Sequence, residues 1–221
     1  MADAITHFQE TILRAESMLN GSFAILDGFN KLQKEKGEPE YTYNTLNEAS
    51  DMGRFSIVLA VASMDDYFTR KYAEILVKAL KKRGVSAKFT AMLEDAGLDI
   101  AGALELVSME RPYRRIRSIA QEYYRNYTTQ STHKIDSLYE TIGCKNLSKH
   151  IERRSKRKTL ITSVTQLVKR RHNIVHAGDL SRTGKLQSID TKTVKRIADV
   201  KLFVNCANTH IDDFMKQKVN K

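Results

Sequence analysis

Apolar positions along this chain recur at intervals of three and four rather than two, a spacing that predicts helix almost throughout. Over 4–35, Ile5, Phe8, Ile12, Ala15, Leu19, Leu26 and Phe29 share one face, with a weak point at Asn20-Gly21. Lys36-Gly37-Glu38-Pro39-Glu40 stops that helix, and a polar loop with Tyr41, Tyr43 and Asn44 leads to a second long helix over 51–83. Its stripe is Val58, Val61, Phe68, Tyr72, Ile75 and Ala79. Between 84 and 143 the periodicity breaks into shorter pieces, 87–95, 99–107, 112–127 and 133–142. A short helix over 147–154 precedes a third long one over 156–176, and the last spans 191–216 with Ile197, Val200, Val204, Ala207 and Ile211 inward. No internal repeat and no set of short alternating strands interrupts this. The expectation is an all-α, up-and-down bundle of four long helices, carrying a helical insertion at 85–150 within one domain over 1–221.

A chain of 221 residues is long enough to bury a core without staples. Cys144 and Cys206 lack metal-ligand spacing and read as ordinary thiols of a reducing compartment. No run of eighteen apolar residues occurs, the opening residues lack the blocks of a secretory signal, and the mean hydropathy is -0.45, so the expectation is a cytoplasmic protein with no membrane partner. Charge adds more than composition does. Residues 1–110 hold 12 Lys/Arg against 17 Asp/Glu, whereas 111–221 hold 25 against 9. A basic half of that strength attracts polyphosphate, and nucleic acid is the first partner it suggests.

On the third long helix the inward spacing is read as Val164, Val168, Arg171 and Val175, which sets an arginine on the apolar stripe. Burying a guanidinium without acceptors costs several kcal/mol. Arg171 therefore needs a carboxylate, a subunit interface or an anionic ligand. Asp65 occupies the corresponding position on the second stripe, between Val61 and Phe68, and is the candidate partner. His172 and His176 are four apart on one helix face, but a zincin requires Glu after the first His and Asn173 stands there, so no metal and no cofactor is expected. Solvated polar histidines at a helix end are the plain alternative.

Arg171-His172-Asn173-Ile174-Val175-His176 resembles the hallmark of the HEPN superfamily, an arginine followed by four to six residues and a histidine, the first of them commonly Asn, Asp or His. The context is similar too: the motif ends the penultimate long helix, the turn Ala177-Gly178-Asp179 follows, and one amphipathic helix remains. Met64-Asp65-Asp66-Tyr67-Phe68 looks like the second-helix pattern of many HEPN proteins, an acidic residue closely followed by an aromatic. Within the superfamily the phrase through Asp179 is most similar to the RiboL-PSP-HEPN and MAE-type groups. The resemblance covers 51–83 and 156–216, and nothing in it extends to 85–150.

That resemblance implies a metal-independent endoribonuclease in which the RNA 2'-hydroxyl is the nucleophile, acting in antiviral defence or a toxin-antitoxin setting. The residue types suit it. Histidine exchanges protons near neutral pH, and arginine offers a fork of donors to phosphate oxygens. His176 takes the acid-base role and Arg171 the phosphate, with His172 and Asp65 supporting them; Asp179 is the candidate for fixing a histidine tautomer. Residues five apart on a straight helix diverge by about 140°, so Arg171 and His176 of one chain do not grip one phosphate, and a homodimer with a composite site is expected. Arg114, Arg115, Arg153, Arg154, Arg157, Lys169 and Arg170 are the candidate RNA-binding residues. Tyr123, Tyr124 and Tyr127 have a spacing that suits a core more than a base-stacking platform. The alternative is a non-catalytic HEPN-like RNA-binding or regulatory protein, and either reading leaves room for an antitoxin or regulatory partner.

Overall fold

The computed structural model describes residues 3–36, 43–124, 127–181 and 183–217. Among these, regular structure is helical: α1 (Ala4–Lys36), α2 (Tyr43–Arg83), α3 (Ala87–Asp95), α4 (Ile100–Ser108), α5 (Pro112–Tyr123), α6 (Thr132–Glu140), α7 (Leu147–Ser155), α8 (Leu160–Ala177) and α9 (Thr191–Lys216). The all-α expectation holds, and the one strand-like feature of the described residues is an isolated bridge between Leu180 and Leu186 in the α8–α9 connection. No helix of the described residues is long and apolar enough to cross a membrane.

Three boundaries differ from the periodicity. Tyr43 and Asn44, expected in a loop, belong to α2, which starts eight residues before position 51; Tyr41 lies outside the described residues. The polar stretch there has little helical drive of its own, but Ala49 is buried and its carbonyl accepts from Ser22 Oγ at 2.6 Å, so packing on α1 extends the helix. The third long helix starts at Leu160, not 156, because Lys156 takes a left-handed conformation (φ 54°) that caps α7. In the third case α5 ends at Tyr123 and Tyr124 turns out of it, short of the expected 127.

Helix directions follow from paired residues. The Ala4 amide donates to Glu74 while Ser22 reaches Ala49, so α1 runs antiparallel to α2. Lys82 and Arg83 at the end of α2 donate to the carbonyls of Met215 and Phe214 at the end of α9, so those two run in the same sense. Arg170, late in α8, meets the carbonyls just before α9, and α8 is antiparallel to both. The four long helices thus alternate as an up-and-down bundle requires.

One contiguous set of buried apolar residues joins this bundle to α3, α5, α6 and α7. At its centre Phe8, Tyr67, Phe68, Tyr139 and Phe203 pack ring edge to ring face, with centroids 5.0 to 5.9 Å apart. Each such ring stabilises the fold by roughly 2–3 kcal/mol through burial. Two polar staples fix the 85–150 region to α2: Tyr139 Oη donates to the Phe68 carbonyl at 3.0 Å, and the Tyr72 and Thr141 hydroxyls share a bond of 2.8 Å. Cys144 is buried and unbridged, and burial pushes its thiol up to about 12. It behaves as a small apolar residue.

Candidate functional site

The face that α8 buries is rotated from the expected one. Leu160, Val164, Leu167 and Arg170 point into the bundle, Val168 and Arg171 are half-buried, and Val175 is 49% exposed. Arg170, not Arg171, is the arginine on the core face. Its guanidinium donates through Nη2 to Asp179 Oδ2 at 2.9 Å, to the Ser188 carbonyl at 2.8 Å and more distantly to that of Gln187. Arg54 of α2 comes to the same oxygen from the other side, Nε to Asp179 Oδ2 at 3.2 Å, and donates to the Gln187 carbonyl at 3.0 Å and to Asp51 at 2.8 Å. Asp179 is fully buried. Two earlier expectations are therefore corrected: Arg170 is committed to this network and is not presented to RNA, and Asp179 holds two arginines rather than a histidine.

The network has a structural consequence for the motif. Gly178 (φ 61°) and Asp179 (φ 60°) are both left-handed, and both backbone N–H groups bond back to the Asn173 carbonyl, closing the helix end. Asp179, Gln187 and Ser188 are thereby held to Arg54 of α2 and Arg170 of α8. This fixes where the last two turns of α8, with both motif histidines, stand relative to α2.

Arg171 is differently placed. With Asp65, Asp66, Thr69, Arg70, Tyr72 and Ala73 of α2, and with Ala120, Gln121, Tyr124, Tyr127, Thr128 and Gln130, it lines a cavity of about 730 Å³. Among the described residues no group accepts a hydrogen bond from its buried Nε, and no carboxylate pairs with it. Asp65, the expected partner, shares the cavity but is taken by the insertion: Oδ1 accepts from the Thr129 amide at 2.5 Å and hydroxyl at 2.7 Å, and Oδ2 accepts from Gln130 Nε2 at 2.9 Å. Its position on the apolar stripe reflects anchoring of that segment. Asp66 is likewise bracketed, by Arg70 at 2.6 Å and His7 at 2.9 Å.

His172 and His176 are exposed, with ring centroids 4.4 Å apart and planes tilted by 45°, and neither belongs to the cavity lining. No hydrogen-bonding group of the described residues orients either ring. One chain thus presents to a cavity a guanidinium with no partner among the described residues, and to solvent an imidazole pair from other faces of the same helix. Val175, Leu180, Leu186 and Val194 leave apolar surface exposed on α8, the connection and α9.

The basic residues divide. Arg157 is bonded to the buried Asp199, which Ser163 also meets, so its expected RNA role gives way to an internal ion pair. Arg154 pairs with Asp213, and Arg153 bonds His150 Nδ1 at 3.0 Å, although both remain exposed. Lys169, Arg114 and Arg115 are exposed. Burial and flanking arginines hold the stacked His150 and His210 rings, 4.2 Å apart, below their ordinary range; for His210 the neighbouring His150 contributes next after burial.

Sequence reasoning missed Arg54 and the segment 127–130. Arg54 was findable, because it continues the stripe Ile57, Val61, Met64, Phe68 back by one turn, as a charge on an apolar face. Thr129 and Gln130 lie in irregular chain, where no periodicity marks what they touch. Among the described residues no cluster of three or more His, Cys, Asp or Glu side chains is arranged to hold a metal ion. Comparison with protein-family models, with curated proteins and with solved structures finds no match to this chain.

Proposed function

We propose that the protein is a metal-independent endoribonuclease of the HEPN kind. The observation that carries this reading is the state of Arg171: a half-buried guanidinium with no acceptor among the described residues, one residue from an exposed pair of imidazoles, in a chain whose C-terminal half is strongly basic. A cation kept without a carboxylate in a partly desolvated place is suited to an anionic ligand, and phosphate oxygens match its fork of donors. In the reaction the RNA 2'-oxygen bonds to phosphorus, its proton passes to an imidazole, and the bond from phosphorus to the 5'-oxygen breaks. That oxygen takes a proton from a second acid, leaving a 2',3'-cyclic phosphate and a 5'-hydroxyl. His176 is the assigned acid-base group, His172 its neighbour in proton exchange, and Arg171 stabilises charge on the pentavalent phosphorus.

Because Arg171 turns to the cavity and the histidines turn outward, two chains supply the groups around one phosphate. The exposed Val175 at the end of α8 suits a two-fold contact that would bring them together. Antiviral defence or a toxin-antitoxin pair is the setting in which such an activity is tolerable to a cell, with a neutralising or triggering partner. Among the described residues no group orients either histidine, which favours a second reading, an RNA-binding or regulatory protein without cleavage.

Incubation of wild type, Arg171→Ala and His176→Ala with single-stranded and transfer RNA in EDTA tests this. Cleavage by wild type alone, leaving cyclic phosphate ends, is the expected result. Inactivity of a folded, RNA-binding wild type would shift the assignment to the second reading.

A further inference from the structure

The cavity that Arg171 lines is larger and more aromatic than phosphate binding requires. At about 730 Å³ it falls within the range of small-molecule sites, about 300–1,000 Å³. Its walls have distinct chemistry. Ala62, Ala73, Leu76 and Ala120 supply small apolar surface, and Tyr72, Tyr124 and Tyr127 form a run of rings, with Tyr124 at 5.4 Å from Tyr72 and 5.2 Å from Tyr127. Gln121 and Gln130 bring amides, and because Gln130 gives an Nε2 hydrogen to Asp65, its carbonyl oxygen remains free to accept.

The charges in the cavity are sorted as a ligand site would need. Both carboxylates are committed, Asp65 to Thr129 and Gln130, Asp66 to Arg70 and His7. Of the two lining cations, Arg70 is held by Asp66, and Arg171 has no acceptor among the described residues. A ligand that completes the site therefore has one anionic group for Arg171 and a flat, partly polar body for the tyrosines and amides. Inorganic phosphate would leave most of the volume unfilled, and an acidic peptide would leave the rings without planar partners.

We infer that this cavity receives one ribonucleotide unit, its phosphate on Arg171 and its base against Tyr124 and Tyr127 with an edge toward Gln121 and Gln130. The inference rests on the nuclease reading for the source of that unit, an RNA strand whose phosphate on Arg171 is the one cut; a free mononucleotide carries the same chemistry. The 112–130 region then determines which base precedes or follows the cut, which gives the otherwise unplaced insertion a role in specificity.

The test uses the full chain in EDTA. Binding of AMP, GMP, CMP and UMP, and of short oligoribonucleotides, is followed by titration calorimetry for wild type, Arg171→Ala and Ala73→Met, the last filling the cavity from a helical position that accepts methionine. Circular dichroism verifies folding. The expected result is that both variants weaken binding by roughly tenfold or more, the loss of about one base–aromatic contact or one charged hydrogen bond, and that Ala73→Met alters the base preference at the cut. Should Ala73→Met not fold, Gln121→Ala, an exposed position, replaces it and is expected to change the preference among the four bases. Cleavage by wild type, with binding and base preference untouched in folded Ala73→Met or Gln121→Ala, would overturn the cavity assignment and leave the nuclease reading standing. Variant-sensitive binding of free nucleotides without any cleavage would sink the nuclease reading and retain the cavity with a mononucleotide as its ligand. No binding of either probe by folded wild type would overturn the inference.

Discussion

Replacing Asp179 by asparagine isolates one charge in the most buried polar network of the molecule. The carboxylate is fully buried and accepts from two guanidiniums, Arg54 and Arg170, that are themselves 7% and 9% exposed. Asparagine preserves the shape and tolerates the left-handed backbone at φ 60°, so the perturbation is electrostatic. Removing one partner of a buried ion pair costs about 3–5 kcal/mol, because the remaining charge is left uncompensated. Both arginines keep carbonyl acceptors, and Arg54 also keeps Asp51, which places the expected loss near the lower end, about 3 kcal/mol. With a urea slope of about 2 kcal/mol/M the unfolding midpoint should fall by about 1.5 M, read by far-ultraviolet circular dichroism. Asp51→Asn is the internal comparison. That carboxylate bonds the same Arg54 but is 69% exposed, and an exposed pair contributes at most about 1 kcal/mol. A midpoint shift for Asp179→Asn no larger than that for Asp51→Asn would refute the claim that this network clamps the end of α8.

His150 and His210 are held below their ordinary value near 6.5 by burial first, with Arg153 next for His150, and His150 then Arg154 next for His210. The unfolded chain therefore binds protons at these positions before the folded one does. Their contribution to stability is present above about pH 6.5 and is lost as pH falls through the depressed folded values. Denaturation at pH 7.5 and pH 5 should show a larger loss in wild type than in His150→Gln/His210→Gln, and equal losses would contradict the assignment. Tyr139→Phe removes the bond from the buried hydroxyl to the Phe68 carbonyl and should lower stability by about 1–2 kcal/mol, with faster amide exchange in α6 before α2. In RNA cleavage, Arg171→Ala should lose activity while keeping the wild-type stability to unfolding within about 0.5 kcal/mol, since the side chain has no hydrogen-bond partner among the described residues to lose.

Period and punctuation in the sequence determined the helical class, the four long helices and the inward faces of α1, α2 and α9, because these follow from local spacing: Phe8, Ile12, Ala15 and Leu19, or Ile197, Val200, Val204 and Ala207, are buried as their intervals require. The same logic identified a charged residue on an apolar face of α8 and stopped one position short. With Val168 and Arg171 on one edge of the stripe and Leu167 and Arg170 on the other, spacing alone does not choose between adjacent rows of a helix only about 100° apart.

Only tertiary structure decided between them, through Asp179 and Arg54, residues far apart in sequence that meet under α8 and draw Arg170 inward. It also decided the fate of Asp65, whose carboxylate is satisfied by Thr129 and Gln130 across 64 and 65 residues of chain. Those contacts depend on how the insertion folds back on α2, and pairings of that kind leave no periodic trace. The cavity has the same origin: Arg171 and the tyrosines line it because three helices, α2, α5 and α8, and one irregular segment converge there, and a void between elements is a property of their packing rather than of any one of their sequences.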